Sequence, residues 1–316
     1  MRAKLRHLYG PVPSRRLGRS LGVDLIPFKT CSYDCVYCQL GRTTAKTIHR
    51  REWVPLAEVR AELDEVLRDP SGIDIITLAG AGEPTLHSGI GELILWLKGR
   101  TSLPVAVLTN GGMLWRSDVR DDLAPADLVV PSLDVGDPAS FHYVNRPHRK
   151  ITFEAMVAGL ETFTHSFEGR LWLEVLLIDG VTGVDEEVAA IAALARRIGP
   201  EKVQLGTLTR PPAEEDVQPV PRDELERFRL MFDPPAELIG VADVPADSRD
   251  RGLDVDDLLA MLQRRPCTVT DLSSALGVHD VALIKVLAEL ADEGEVRIVN
   301  VGTERYYRAA AATEAS

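Results

Sequence analysis

The sequence predicts an α/β protein: a partial (β/α)6 barrel of the TIM type followed by a small winged helix-turn-helix domain. Short, nearly continuous apolar runs alternate with helical stretches across residues 21–212, and this alternation favours a parallel sheet with helices outside it. Six such runs fall short of the eight units of a complete barrel. After residue 252 the pattern changes to three short helices and a hairpin, which is typical of a winged helix.

The barrel domain is expected over residues 21–212, after an N-terminal arm of residues 1–20. The arm is expected because Gly10-Pro11-Val12-Pro13-Ser14 cannot continue a helix or a central strand. Apolar runs predict strands at 21–26, 73–78, 105–108, 128–133, 171–178 and 202–208. Apolar stripes of helical period predict helices at 55–68, 89–99, 117–123, 153–163 and 185–198.

A cap and linker is expected at 213–252, where Pro, Asp and Glu are frequent and one helix is predicted at 222–231. The winged-helix-like domain follows at 253–308, and residues 309–316 are expected to be a disordered tail. Residues 253–308 carry a net charge of −4, with Lys285 the main cation of the expected recognition helix. Because nucleic-acid modules carry a basic footprint, DNA binding is disfavoured, and a lid or a protein- or peptide-docking role is preferred.

Composition indicates an ordinary globular protein of 316 residues, with 45% hydrophobic and 27% charged residues. No apolar run approaches the roughly 18 residues of a membrane span, so a cytoplasmic location and no membrane partner are expected. The formal net charge of −12 conceals a basic first segment, since residues 1–51 carry a net +9. That segment suits nucleic acid or another polyanion, or it compensates an anionic thiolate-ligated cluster, which is the preferred reading.

Three of the four cysteines, Cys31, Cys35 and Cys38, lie in one short stretch. In a reducing compartment such a cluster indicates metal binding or catalysis rather than disulfides. Three thiolates are too few for a structural zinc site, and a four-iron cluster takes four ligands. Three would leave one iron open to another ligand. The remaining cysteine, Cys267, is expected to be buried.

The cysteine spacing after a first strand, with βα units behind it, resembles the radical S-adenosylmethionine (SAM) superfamily over roughly residues 10–212. The resemblance implies that Cys31, Cys35 and Cys38 hold a [4Fe-4S] cluster whose fourth iron is chelated by SAM. It also implies a one-electron reductant such as flavodoxin or ferredoxin. Reductive cleavage of SAM would give methionine and a 5′-deoxyadenosyl radical that abstracts a hydrogen atom from the substrate.

Further site residues follow from the same resemblance. Tyr37 is similar to the superfamily's aromatic position beside adenine, with core packing as the alternative. Gly80-Ala81-Gly82-Glu83 resembles the Gly-Gly-Glu motif, whose backbone lies close to the SAM amino group. Glycine permits such an approach because it has no Cβ. The motif departs from its usual form by Ala81 and by the proline that follows it, so the role of the Glu83 side chain is left open.

The ends of later strands supply the remaining candidates. Ser132 and Asp134 lie where related enzymes place ribose and carboxylate contacts, and Asn110 is expected to join them. A hydroxyl donor and a carboxylate acceptor suit vicinal ribose hydroxyls. Glu174 and Asp179 are weaker candidates, and for each of these residues a capping or solvent-facing role is the alternative.

Two further stretches resemble one group of iron–sulfur oxidoreductases distantly related to the tRNA wyosine-base synthases. They are residues 9–22, which include Arg15, Arg16 and Arg19, and the triplet Asn145-Arg146-Pro147. The arginines suit an anionic substrate or the SAM carboxylate, and equally a solvated arm. No mechanism follows from the triplet.

The sequence therefore predicts an oxidoreductase-like radical SAM enzyme acting on an unidentified substrate, with protein, peptide and tRNA as candidates. One alternative is a tRNA-base-modifying member of the same superfamily. The other is a regulator in which an iron–sulfur cluster senses redox state and the winged helix binds DNA.

Overall fold

An eight-stranded sheet organises the protein in a computed structural model that describes residues 5–14, 16–239, 254–278, 280–301 and 304–310. The strands in chain order are β1 (Leu8–Ser14), β2 (Gly18–Val23), β3 (Thr30–Cys31), β4 (Ala45–Lys46), β5 (Ile75–Leu78), β6 (Val105–Thr109), β7 (Leu128–Pro131), β8 (Arg170–Leu177), β9 (Lys202–Thr207), β10 (Glu237–Leu238), β11 (Val296–Val301) and β12 (Glu304–Ala309). The large sheet has the order β1-β2-β5-β6-β7-β8-β9-β10.

Helices cover this sheet and build the C-terminal part of the chain. They are α1 (Leu56–Val66), α2 (Ile90–Arg100), α3 (Ser117–Leu123), α4 (Pro138–Ser140), α5 (Phe153–Ser166), α6 (Asp185–Ile198), α7 (Arg222–Arg229), α8 (Val255–Arg264), α9 (Val269–Leu276) and α10 (Asp280–Asp292). A short 3-10 helix spans Pro84–Leu86, and a π-helix spans Phe141–Asn145.

The six central strands β2 and β5 to β9 pair in parallel, and each coincides with one of the six predicted strands. Their helix-facing side chains join the large apolar core, of which Ile76, Val107 and Leu173 are fully buried members. Alternate side chains of the same strands form a second, smaller cluster on the other face, to which Leu17 contributes. A mostly parallel α/β sheet of the predicted class is confirmed.

Part of the predicted N-terminal arm is a strand. β1 pairs antiparallel with β2 at the edge of the sheet, with an irregularity between Tyr9 and Val12. Proline is tolerated at a sheet edge because the missing N–H then faces no partner strand, so Pro11 and Pro13 do not prevent pairing. Residues 1–4 and Arg15 lie outside the described residues.

The region expected to be a cap and linker contributes to the sheet as well. β10 adds to β9 in parallel, and α7 contacts both strands. Residues 240–253, the remainder of the predicted linker, lie outside the described residues.

The C-terminal unit contains three helices followed by an antiparallel hairpin of β11 and β12, in the order predicted. Thr268 and Asp271 form a capping box that starts α9. The unit has its own apolar core, in which Cys267 is fully buried as predicted. Its classification as a winged helix stays a prediction. Residues 279, 302–303 and 311–316 lie outside the described residues, and with them Gly302 and most of the predicted tail.

Among the residues that the structure describes, none of the helices has both the length and the apolar character that crossing a membrane would require.

Candidate active site at the carboxyl ends of the strands

The cysteine stretch follows β2 and is held in place by backbone hydrogen bonds from several directions. Cys31 lies in β3, which pairs with β4, and the Thr47 N–H donates to the Cys31 carbonyl at 2.9 Å. The Asp34 N–H donates to the Asn145 carbonyl at 3.0 Å, and the Val36 N–H donates to the Val144 carbonyl at 2.9 Å. The loop is therefore supported along most of its length before any ligand binds.

Three N–H groups are aimed at cysteine sulfurs. The Asn110 side-chain amide donates to Cys31 Sγ at 3.4 Å, and the Tyr33 backbone N–H donates to the same sulfur at 3.5 Å. The Asn145 side-chain amide donates to Cys35 Sγ at 3.6 Å. Donors around sulfur stabilise thiolates and tune the metal groups that thiolates hold.

Burial disfavours ionisation of the three cysteine thiols in the absence of a metal. Burial, with a smaller contribution from Glu83, raises the pKa of Cys31 to about 12. Burial also raises the pKa of Cys35 well above its ordinary value, and the neighbouring Cys31 and Cys38 raise it further. Burial raises the pKa of Cys38 as well, although the cations Lys29 and Arg308 act to lower it. A bound metal would replace these protons.

The donor set fits an iron–sulfur cluster better than a single metal ion. Among the described residues, no three His, Cys, Asp or Glu side chains lie close enough to hold one ion. In a four-iron cluster each thiolate binds a different iron, so the three sulfurs need not converge on one point. Cys38 raises the pKa of Cys31, and both Cys31 and Cys38 raise the pKa of Cys35, while nearby amides and cations compensate the negative charge that thiolates would bring.

The loop of residues 80–83 packs directly against the cysteine segment. A Cβ on Gly82 would lie 2.0 Å from the Thr30 carbonyl oxygen, so only glycine allows this approach. Gly80 has φ +141°, and a Cβ there would lie 2.6 Å from the Asp24 carboxyl carbon. The Glu83 N–H donates to the Thr30 carbonyl at 3.1 Å. Both glycines of the predicted motif are thus required by close packing beside the cysteines.

The Glu83 side chain points into the protein. Its carboxylate is buried and accepts hydrogen bonds from the Thr85 N–H at 3.1 Å, from both the Thr85 and Thr109 hydroxyls at 2.6 Å, and from the Asn110 N–H at 2.8 Å. Burial raises the pKa of Glu83, although these donors oppose the shift. The carboxylate therefore ties the loop after β5 to the loop after β6.

Tyr37, Asp134 and Asn145 form a second network behind the cysteines. The Tyr37 hydroxyl donates to Asp134 Oδ2 at 2.5 Å, and the Asn145 amide donates to the same oxygen at 3.0 Å. The Leu176 N–H donates to the other oxygen, Oδ1, at 3.1 Å. Asp134 is 3% exposed, and burial raises its pKa to about 6. The same Asn145 amide reaches Cys35, so this network is coupled to the cysteine loop.

The remaining predicted residues differ in their contacts. Asn110 faces Cys31 and Ser32 through its side chain. Ser132 forms an isolated bridge with Glu174, whose carboxylate pairs with Arg16 at 2.6 Å. Asp179 is exposed, and its backbone N–H donates to the Gln218 carbonyl at 3.0 Å.

Sequence reasoning missed two contributors. Asp24 lies just after β2 and accepts a hydrogen bond from the Ala81 N–H at 3.2 Å, and its position after a strand end was the available signal. Asn145 stood out as part of a triplet, but its contact with Cys35 spans 110 positions of sequence. No local pattern predicts such a contact.

The C-terminal unit approaches the same edge of the barrel. The Arg308 guanidinium donates to the Leu40 carbonyl at 2.9 Å, just after the cysteine stretch. From the barrel side, Arg210 donates to the Pro266 carbonyl at 3.1 Å, and the Tyr306 hydroxyl donates to the Thr209 carbonyl. The unit is thus positioned beside the candidate site.

Known proteins with similar sequences place this chain in a family. Residues 25–195, more than half of the chain, match the family described as the Radical SAM superfamily. A UPF0026 protein from Methanocaldococcus jannaschii is 30% identical over 91% of both chains. A UPF0026 protein from Helicobacter pylori is 33% identical over 95% of this chain and 96% of the relative. A protein named GTPase Obg from Brachyspira hyodysenteriae is 37% identical over 94% of this chain, but the chain spans only 44% of that relative.

Solved structures show the same fold. A radical SAM methyltransferase from Sphaerobacter thermophilus aligns with a TM-score of 0.54 and 20% identity, covering 69% of this chain and 65% of the other. TYW1 with a lysine-pyruvate adduct bound aligns with a TM-score of 0.51 and 19% identity over 69% and 74% of the two chains. Streptococcus suis SuiB bound to S-adenosylmethionine aligns with a TM-score of 0.51 and 13% identity over 69% and 49%.

Proposed function

This chain belongs to the radical SAM superfamily, and on that premise we propose that it is an enzyme that binds a [4Fe-4S] cluster through Cys31, Cys35 and Cys38. SAM is proposed to bind at the carboxyl ends of the strands, next to the open iron. When bound, the cluster and SAM supply a 5′-deoxyadenosyl radical by one-electron reductive cleavage, and this radical abstracts a hydrogen atom from the substrate.

One observation carries the proposal: side-chain amides from two other loops donate to the sulfurs of the cysteine loop. Asn110 follows β6 and donates to Cys31, while Asn145 ends the π-helix and donates to Cys35. Thiols buried for packing alone do not each need an amide donor. Sulfurs that carry the negative charge of a cluster do, because charge-assisted hydrogen bonds are the stronger ones.

The chain's own residues then have separate tasks. Gly82 allows the loop of residues 80–83 to pack against the Thr30 backbone, and Gly80 allows the same loop to pack against Asp24, so the main chain of this loop lies beside the proposed cluster. Glu83 fixes this loop from behind through its four hydrogen bonds. We assign Ser132 and Asp134 to the ribose side of the SAM site, where Tyr37 orients Asp134.

The decisive experiment is anaerobic reconstitution of the protein with iron and sulfide, followed by SAM and dithionite. We expect about four irons per chain and formation of 5′-deoxyadenosine, detected by chromatography and mass spectrometry. Cys35→Ala should abolish both readouts. Cys267→Ala, which removes the one cysteine outside the loop, serves as the matched control and should retain both.

Failure of the wild-type protein to assemble a cluster, or assembly without any 5′-deoxyadenosine, would overturn the proposal. Comparing nucleosides of tRNA, and peptides, from cells with and without the protein then separates the candidate substrate classes. GTP hydrolysis is not part of the proposal, because the chain has no Gly-Lys pair of the kind a phosphate-binding P-loop requires.

A further inference from the structure

Three polar side chains form a row on the sheet face that lies away from the helices, which we call the inner face. Ser132, just after β7, bridges to Glu174 of β8, and Glu174 is the register partner of Gln204 in β9. Register partners in a parallel sheet point to the same side. Trp172, two residues before Glu174, belongs to the apolar cluster of the inner face, so alternation places Glu174 and its two partners on that face as well.

Arg16 reaches this row from the turn between β1 and β2. Its Nη1 lies 2.6 Å from Glu174 Oε2 and donates to Gln204 Oε1 at 3.3 Å. We call Arg16 and Glu174 the inner pair. Their side chains are 16% and 29% exposed, so the inner pair is partly buried and still accessible to a small ligand.

The inner pair keeps hydrogen-bonding capacity in reserve. Arg19, a nearby arginine, uses both Nε and Nη2 to donate to the exposed Asp74, at 3.3 and 3.1 Å. Arg16 instead donates its one side-chain hydrogen bond from Nη1. Among the described residues, its Nε and Nη2 groups donate to no acceptor, and the Glu174 carboxylate has no partner besides the ion pair with Arg16. One edge of the guanidinium and part of the carboxylate are thus available to a ligand.

The inner face is filled on one side of the inner pair and open on the other. Toward the starts of the strands, Leu17 and Trp172 are nearly buried and pack in one apolar cluster. Toward the strand ends, Gly206 follows Gln204 by two residues and lies on the same face. A Cβ on Gly206 would have one described neighbour within 4 Å, Ile239 at 3.8 Å, apart from the adjacent residues of the chain. A ligand can therefore reach the inner pair from the carboxyl ends of the strands.

The inner pair also lies next to the candidate SAM site. Glu174 precedes Leu176 by two residues, and the Leu176 N–H donates to Asp134 at 3.1 Å. Two residues of a strand span about 6–7 Å. Burial first, and the negative charge of Glu174 to a smaller extent, raise the pKa of Asp134 to about 6. The inner pair is thus one strand step from the carboxylate that we assign to the ribose side of SAM.

The charges of the inner pair select the kind of substrate that fits. Glu174 would repel a ligand that carries only an anionic group, and Arg16 would repel one that carries only a cationic group. A zwitterion matches both side chains. Its carboxylate can accept from Nε and Nη2 of Arg16 in the bidentate geometry that arginine favours, and its ammonium can donate to Glu174. It also adds no net charge to a partly buried site, where an unpaired ion is costly.

We propose that the inner pair binds the head group of a small zwitterionic substrate of the α-amino-acid type, with the carboxylate on Arg16 and the ammonium on Glu174. The inference rests on the proposed function, because it places this head group beside the site assigned to SAM. SAM carries the same two groups, but in the proposed function they bind the open iron. The inner pair binds and orients the substrate, and it exchanges neither atoms nor electrons with it.

The test is anaerobic titration calorimetry of the full chain loaded with its cluster and SAM, without a reductant. The probes are the common L-amino acids. Each is compared with its α-carboxamide, which lacks the carboxylate, and with its N-acetyl derivative, which lacks the ammonium. At least one amino acid should bind at least about tenfold more tightly than both of its derivatives, since a hydrogen bond to a charged group contributes that factor or more.

Variants of the inner pair assign each charge to its side chain. Arg16→Gln should bind the selected amino acid about tenfold more weakly and no longer distinguish it from the carboxamide. Glu174→Gln should lose the distinction from the N-acetyl derivative instead. A pair that only fastened the β1–β2 turn would change neither selectivity. If Arg16→Gln folds poorly, Arg16→Lys keeps the positive charge beside Glu174 but lacks the planar fork, and it should also bind the amino acid more weakly.

A matched control breaks the neighbouring ion pair. Arg19→Gln removes the contact with Asp74, in which both side chains are about half exposed, and it should keep the affinity and the selectivity of the wild-type protein. Thermal unfolding of all variants checks that each is folded under the conditions of the titration.

The outcomes separate this inference from the proposed function. Absence of 5′-deoxyadenosine concerns the proposed function alone, because the titration involves no cleavage of SAM. The substrate inference is overturned if no amino acid binds more tightly than its two derivatives, or if Arg16→Gln and Arg19→Gln bind the amino acid alike. It is also overturned if the inner-pair variants lose affinity for SAM while keeping that for the amino acid, which would assign the pair to the SAM site.

Discussion

Asn145 shows at the scale of one residue how the protein supports its cysteines. It is 3% exposed, and its amide is shared among Cys35, Tyr37 and Asp134. A buried amide in this position specifies one arrangement of its neighbours, because leaving any of them unpaired costs free energy. We therefore propose that Asn145 positions Cys35 as a ligand of the proposed cluster rather than touching a substrate.

Replacing Asn145 should change the redox behaviour of the loaded protein. In Asn145→Leu the N–H donor to Cys35 is lost, and the reduced, more negative cluster loses that stabilisation. We expect the midpoint potential to fall on the order of 40 mV, which corresponds to one hydrogen bond of about 1 kcal/mol. An EPR-monitored redox titration measures the shift. Tyr143→Ala, at an exposed position of the same π-helix, is the control, and an equal potential in both variants would contradict the assignment.

Asp134 gives the protein a pH-dependent stability. Burial raises its pKa from 3.8 to about 6, so between roughly pH 4 and pH 6 the folded state holds a proton that the unfolded state has lost. Stability therefore falls as pH rises through this window, by up to about 3 kcal/mol. Urea unfolding of cluster-free Asp134→Asn at pH 4.5 and 7 should show a smaller difference between the two pH values than wild type. The exposed Asp121→Asn is the control, and identical differences in all three proteins would refute the prediction.

At the scale of elements, the loop after β5 and the π-helix brace the cysteine loop from two sides. The loop does so through glycines that allow backbone contact, and the π-helix through Val144 and Asn145 carbonyls that accept from the cysteine loop. π-helical turns are rare and often occur at functional sites. Here the turn ends at Arg146, which has φ +45° and pairs with Glu214.

Two glycine-to-alanine variants should have opposite effects on the free energy of unfolding. Gly82→Ala places a Cβ against the Thr30 backbone, and we expect a loss of about 1–3 kcal/mol in stability and incomplete cluster assembly. Gly99→Ala lies within α2, where nothing would lie within 4 Å of the new Cβ. It should gain about 0.5–1 kcal/mol. Chemical unfolding measures the stability of both variants, and iron content measures cluster assembly. Normal iron content in Gly82→Ala would contradict the expected clash with the Thr30 backbone.

At the scale of the whole molecule, the protein contains two separate apolar cores. The larger core surrounds the barrel sheet, and the smaller one fills the C-terminal unit. The contacts between them include hydrogen bonds from Arg210 and Arg308 to carbonyl oxygens. Units that have separate apolar cores commonly unfold in separate steps.

Weakening this interface should therefore affect the smaller unit first. In Arg210→Ala/Arg308→Ala we expect the lower calorimetric transition to move down by several degrees while the upper one stays within about a degree. Arg297→Ala removes an exposed arginine of β11 and should move neither transition. A single transition that shifts as a whole would show that the two cores unfold as one.

The local periodicity of the sequence was sufficient to predict the six parallel strands and the order of elements in the C-terminal unit. The spacing of the thiols singled out three cysteines, whose role as cluster ligands stays a prediction. These features depend on short-range patterns of apolar residues, breakers and thiols, and such patterns survive without knowledge of the tertiary fold. Gly82, Asn110 and Asp134 each follow the carboxyl end of a strand, as their positions in the sequence predicted.

Side-chain direction and long-range pairing were decided only in the tertiary structure. β1 pairs at the sheet edge despite its prolines, Glu83 turns inward to Thr109, and Asn145 reaches Cys35 from 110 positions away. Each outcome depends on which segments the sheet brings together, and on burial, which favours a partner for each polar group. Sequence spacing carries no information about either.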